Sequence, residues 1–195
     1  PPSTFGIYLN ASMKGSDGDF TFQNIKLEGV TYAWKYDSQN NYWKASAFAG
    51  GVNNPTESWL VSTEIDLSGA TTPSLSFDAA INFLNGNNRA DFIEAKISAD
   101  YVDNVTTATW ATLNATWSEG KNWTFVNSGA IDLKDYVGKK VRLAFAYKST
   151  SACAPTIEIK NISVTEPKNG YYADVYLYKE VPENEVETAS AMMFA

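Results

Sequence analysis

The sequence predicts an all-β fold, a two-sheet antiparallel β-sandwich of about ten strands. Three observations lead there. Apolar and polar residues alternate with period two in segment after segment, turn-prone stretches rich in Gly, Asn, Asp and Pro separate those segments, and no long stretch repeats apolar side chains at helical spacing. A doubly wound fold would need amphipathic helices between its strands, whereas many short strands joined by polar turns bury their apolar faces by stacking two sheets. Aromatic residues make up 14% of the 195 residues, and the abundance of Thr, Ser, Asn and Val favours pleated strands further.

From the N-terminus the predicted strands are FTFQNIKLE (20–28), TYAWKYD (31–37) and YWKASAFA (42–49), the first preceded by the turn GSDGD and the last followed by GGVNNPT. SWLVSTEIDL (58–67) comes next. In SLSFDAAINF (74–83), Leu75, Phe77, Ala79, Ile81 and Phe83 are in phase, and the turn NGNNR ends the strand. DFIEAKISA (91–99) opposes Ile93, Ala95 and Ile97 to Glu94, Lys96 and Ser98, and WTFVNSGAIDL (123–133) leads to the turn VGKK. VRLAFAYKS (141–149) has the clearest alternation, with Val141, Leu143, Phe145 and Tyr147 on one face and Arg142 and Lys148 on the other. In TIEIKNISVTE (156–166) the apolar set changes phase between Ile157, Ile159 and Ile162, Val164; a β-bulge near Lys160 and Asn161 reconciles the two halves. YYADVYLYK (171–179) is the last predicted strand. The stretch 181–195, with its acidic residues, its proline and no strand pattern, reads as a tail or linker. Residues 1–180 therefore read as one domain, without internal repeats.

The formal charge of −7 argues against nucleic acid or an anionic membrane surface as the main partner, because both are bound by clustered Lys and Arg. A single cysteine, Cys153, allows no intramolecular disulfide and reads as a packed small hydrophobe in a Ser- and Ala-rich turn. No apolar run approaches the ~20 residues that span a bilayer. The start, Pro1-Pro2-Ser3, reads as processed, with any export signal or lipid anchor upstream of it.

Catalytic equipment is sparse. The chain has no histidine, which removes the commonest general base, the usual Ser and Cys triads and the common zinc sites. Paired carboxylates are the remaining route, since a glycosidase needs only two, and Asp78, Glu57, Glu94 and Glu158 lie on or beside predicted strands. Their outward alternation makes solvated strand charge the simpler account.

Six motifs in order, KASAF (44–48), ESWLVSTEIDLSG (57–69), LSFDAA (75–80), ISADY (97–101), YVGKKVRLAFAYKS (136–149) and IEIKNISV (157–164), resemble the choice-of-anchor J domains. These are jelly-roll modules, galactose-binding-like in architecture, of surface lipoproteins and secreted proteins from Bacteroides-type bacteria, similar to cleaved-adhesin and MAM-like sandwiches. The resemblance covers residues 20–165. It implies a jelly roll in which Trp59 and Leu60 enter the core, a monomeric module that is secreted or held at the cell surface, an outer-membrane lipoprotein setting, and a glycan or another surface protein as partner. Related jelly rolls often hold a structural calcium on an acidic segment of the final strand. Here that segment carries Lys160, whose ammonium repels a cation, although Glu158 and Asn161 still offer oxygens. Asp17 and Asp19 in the turn SDGD are an alternative place for a cation.

A sugar site pairs flat aromatic rings with amides or carboxylates, because a pyranose stacks its apolar face while its hydroxyls need directional partners. The densest such cluster is ATWATLNATWSEGKNWTF, with Trp110, Trp117 and Trp123 beside Asn114, Asn122 and Glu119; a second holds Trp34, Tyr36, Tyr42 and Trp43 beside Asn40 and Asn41. Trp117, followed at once by Ser, Glu, Gly and Lys, is expected to be the most exposed. A binding platform would show two of the three tryptophans coplanar and exposed; the competing expectation is that they pack the sheets. The function this reading predicts is non-catalytic recognition of carbohydrate or adhesion. The alternatives are a structural spacer that binds protein through edges or loops, and a carboxylate-only glycosidase. The N-x-S/T sequons at Asn10, Asn104, Asn114, Asn122 and Asn161 follow from a Thr- and Asn-rich composition.

Overall fold

The structure is a computed structural model that describes residues 34–166 and, as backbone strands, 174–179 and 189–192. The chain divides into two compact units, Pro1–Val30 and Thr31–Ala195, and every described residue belongs to the second. The predicted strand 20–28 and the turn holding Asp17 and Asp19 lie outside the described residues.

The described residues form an all-β, two-sheet antiparallel sandwich. The strands, in chain order, are β1 (Lys35–Asp37), β2 (Tyr42–Ser46), β3 (Phe48–Ala49), β4 (Val52–Asn53), β5 (Thr56–Ser62), β6 (Ile65–Asp66), β7 (Ser74–Asn82), β8 (Ile93–Ser98), β9 (Ala111–Thr112), β10 (Val126–Asn127), β11 (Ile131–Asp132), β12 (Lys140–Ser149), β13 (Thr156–Val164), β14 (Asp174–Lys179) and β15 (Ala189–Met192). The first sheet runs β1-β2-β13-β7-β10, with β11 also on β7; the second runs β15-β14-β5-β12-β8-β9, with β6 also on β12. Strands β3 and β4 make a separate hairpin. Most long neighbours in sequence change sheets: β5 lies in the second, β7 in the first, β8 and β12 side by side in the second, and β13 in the first. Each crossing stacks one sheet over the other, which is why alternation in the sequence becomes a single buried layer.

That layer takes the residues the alternation assigns to it. Trp43, Ala45, Leu75, Phe77, Ala79, Ile81, Ile157 and Ile159 face Leu60, Ile93, Ala95, Ile97, Val141, Leu143, Phe145 and Tyr147. Phe77 meets Phe145 edge-on across the layer, ring centroids 5.0 Å apart, and Trp34 packs on both Phe145 and Tyr147. Each such fully buried side chain contributes about 1.5–3 kcal/mol of transfer free energy. The bulge is where the change of phase requires it: pairing of β13 with β7 shifts register between Lys160 and Ser163, and Asn161 takes φ of 52°. One extra residue there returns Val164 to the core.

Four expectations are corrected. Trp59 and Leu60 do not enter one core, because neighbouring strand residues point to opposite faces. Leu60 is in the inter-sheet layer, whereas Trp59 packs outside the second sheet with Val61, Ala144, Ala146 and Val105. Phe83 leaves the phase of its strand: at φ of 65° its side chain turns outward, and Asn82 Oδ1 accepts its N–H at 2.9 Å. The turn segment GGVNNPT contains β4, since Gly50 and Gly51, both at positive φ, close a tight hairpin. The stretch expected to be a structureless tail carries β15, paired antiparallel with β14. Its run of small and apolar residues is too short to show an alternation, so only a partner strand reveals it.

Candidate functional site

The six residues expected to form a sugar site are not brought together. Trp110 lies over the outer face of the second sheet, half-buried against Trp59 (5.3 Å) and Tyr101 (5.5 Å), with Nε1 donating to the Val105 carbonyl at 3.0 Å. Trp117 is half-buried against Phe77 of the main core, at 5.1 Å, and the Arg89 guanidinium stacks 5.1 Å from its ring. It is not the most exposed tryptophan. The reason is the next residue: Ser118 is buried and its hydroxyl accepts the Ile81 N–H at 2.8 Å, which pins 117–118 to the edge of β7. Trp123 is the exposed one, at 42%. Among the described residues no ring contact joins any two of the three, so the coplanar pair is not formed. Asn114 and Asn122 are exposed, and Glu119 is exposed and paired with Lys121 at 2.9 Å.

Trp123 reaches the surface through an excursion of the chain beside β7. Ser118 and Ser128 anchor its two ends, the latter accepting the Phe77 N–H at 2.9 Å. Between them Gly120, Asn122 and Trp123 all take positive φ, and a Cβ at Gly120 would overlap the Leu84 side chain. Positive φ at a tryptophan is strained, so the surroundings hold it there. They do so on the outer face of the first sheet. Lys44 of β2 lies 5.7 Å from the Trp123 ring, Lys160 of β13 lies 3.9 Å from the Phe125 ring, and Tyr42 packs on Phe125 at 6.2 Å. The register places Ala80 and Glu158 outward beneath this layer, and they are 0% and 5% exposed.

At the end of the same sheet a cleft of about 290 Å³ opens between the β3–β4 hairpin and the end of β7. Its lining is Ser46, Phe48, Asn53, Phe83, Asn85, Ala154 and Thr156. Phe48 is 56% and Phe83 51% exposed, so two phenyl rings face solvent. Trp123 meets Phe83 edge-on, 5.5 Å away at 81°. The polar lining is ready for hydroxyl groups: Thr156 donates to Ser46 Oγ at 3.1 Å, leaving the Ser46 hydroxyl proton to be given away. Asn53 spends its amide hydrogens on the Ala152 carbonyl at 3.1 Å, leaving its oxygen as an acceptor, and the Asn85 amide makes no hydrogen bond among the described residues. Among the described residues no ionisable side chain lines the cleft. Cys153 is buried beside it, its thiol directed at the Phe83 and Leu84 carbonyls and its pKa pushed up by burial.

The sequence reading missed Phe48, Phe83, Asn53 and Asn85. Phe48 shares the parity of Tyr42, Lys44 and Ser46, whose side of the first sheet faces out, and that was a usable signal. Phe83 carried none, because its direction is set by one positive φ.

The carboxylates open to catalysis are all engaged. Glu57 accepts from Trp59 Nε1 at 2.9 Å and pairs with Lys148; Glu94 pairs with Lys96 at 2.7 Å. Asp78 accepts from Asn127 and Asn161, each at 2.7 Å, and these bonds hold its pKa below the usual value. Glu158 lies 3.7 Å from the Lys44 ammonium. Burial, then the Glu158 charge, push the Tyr42 phenol upward. With the Lys44 ammonium beside Glu158 and the Lys160 ammonium beside Asp78, two cations already answer this donor set, which does not fit a calcium ion. Among the described residues no three acidic or thiol groups gather as metal ligands. Searches against protein-family models and curated proteins find no match to this chain.

Proposed function

We propose that this chain is a non-catalytic recognition module of the cell surface that binds carbohydrate, at the end cleft and not at the predicted tryptophan cluster. One observation carries the reading: two solvent-facing phenyl rings, Phe48 and Phe83, stand beside the Asn53 amide oxygen, the Asn85 amide and the Ser46 hydroxyl proton in a cleft of about 290 Å³. Rings take the apolar face of a pyranose and the amides take its hydroxyls. The described residues that line the cleft include no ionisable side chain and so offer no general acid or base, which supports binding over turnover. The six motifs that resemble choice-of-anchor J domains fall on β2 to β3, β5 to β6, β7, β8, β12 and β13, and that resemblance supports a secreted or lipoprotein setting.

A glycan array probed with the purified protein tests the reading. Binding to a neutral glycan that Phe83→Ala removes is the expected result. A blank array would instead favour the spacer reading, which the structural employment of Trp110 and Trp117 already favours.

A further inference from the structure

The cleft does not stand alone, because Trp123 is the neighbouring exposed ring and its plane is nearly perpendicular to that of Phe83, at 81°. We infer that cleft and Trp123 form two consecutive subsites for a neutral oligosaccharide whose successive rings turn relative to one another; this rests on the carbohydrate reading above. The cleft volume, about 290 Å³, lies at the small end of ligand pockets and suits one pyranose ring. A sugar stacked on Phe83 presents its edge, not its face, to Trp123, so the second ring stacks only if the linkage rotates it. In flat β-1,4 ribbons successive rings stay nearly coplanar, and such chains bind across coplanar aromatics. In α-1,4 and β-1,3 chains each linkage turns the next ring, as these two side chains require.

The second subsite is also built in place. Trp123 is held by its edge contact to Phe83 and by the Lys44 ammonium 5.7 Å from the ring, on an excursion pinned at Ser118 and Ser128. A ring already fixed loses little conformational freedom when a sugar stacks on it. Charge agrees with a neutral ligand: among the described residues no ionisable group lines the cleft, and Lys44 is answered by Glu158.

The test is an NMR titration of amide resonances in the wild-type chain, Phe83→Ala and Trp123→Ala. The probes are methyl glucoside, methyl galactoside, methyl mannoside, maltohexaose, laminarihexaose and cellohexaose. Both side chains are exposed, and an unchanged spectrum away from the site shows that each variant is folded. The expected pattern is a hexaose of turned linkage binding more tightly than its monosaccharide. Trp123→Ala should remove that advantage, roughly tenfold, while monosaccharide binding is kept. Phe83→Ala should weaken both. Equal or tighter binding of cellohexaose, or an unaltered hexaose affinity in Trp123→Ala, would overturn the two-subsite inference and leave the cleft as a monosaccharide site. Absence of any shift at the cleft with all six sugars would overturn the carbohydrate reading itself.

Discussion

Tyr147 is a core residue with two polar duties. Its hydroxyl donates to the Pro155 carbonyl at 2.9 Å and accepts the Ala47 N–H at 3.0 Å, and burial pushes its phenol up to about 12. The alternation along β12 shows that Tyr147 faces inward, but not that the backbone on either side of a crossing depends on it. Tyr147→Phe leaves a buried N–H and a carbonyl without partners, and urea unfolding should show a loss of about 1–3 kcal/mol. Glu166 acts at the surface. Its carboxylate accepts the Thr71 and Thr72 N–H groups at 2.7 and 3.2 Å and both hydroxyls at 2.9 Å, and these bonds lower its pKa from 4.5 to about 2. A folded value below the unfolded one means the clasp contributes fully above about pH 4.5 and is lost as pH falls through about 2. Glu166→Ala should therefore melt lower than wild type at neutral pH, and the gap should close across that acid window. A gap that stays constant from neutral pH down to pH 2 would show that Glu166 does not act through its charge.

Among the elements, the long strands were legible because each presents several alternations, and the bulge in β13 was legible because isoleucines on opposite parities cannot share a face unless a residue is inserted. The edge of β7 was not legible. There a regular partner strand is replaced by β10, β11 and two serine hydroxyls, Ser118 and Ser128, which accept the N–H groups of Ile81 and Phe77. Serine in a polar stretch reads as a solvated turn, and the exposure expected for Trp117 followed from that. Ser118→Ala removes the acceptor of a buried N–H and should cost about 1–3 kcal/mol. Amide exchange at Ile81 should quicken more than at Phe77, whose serine is intact; equal quickening at both would mean that the edge opens as one unit.

For the whole molecule, the two outer faces do different work. The second sheet is roofed by Tyr101, Val105 and Trp110, and the first by Trp123 and Phe125 beside an open cleft. Trp110→Ala should lower the melting temperature and leave sugar binding intact, because it uncovers Trp59 and Val61. Trp123→Ala should do the reverse, with little change in melting and weaker oligosaccharide binding. Calorimetry and titration on the same two proteins separate these outcomes, and a shared loss of both properties would show that the faces are coupled.

The sequence by itself determined the class of fold, the inward face of most strands and the bulge, because each is a matter of parity along a few adjacent residues. It also restricted the chemistry, since a chain without histidine has few routes to catalysis. Only the tertiary structure decided which aromatics share a site. Trp110, Trp117 and Trp123 are close in sequence yet lie over the second sheet, against the core and over the first sheet. Phe48 and Phe83, far apart in sequence, line one cleft. The physical reason is that a sandwich crosses between sheets at successive connections, so closeness along the chain says little about which face a side chain reaches, and a single positive φ reverses a residue whose parity pointed it inward.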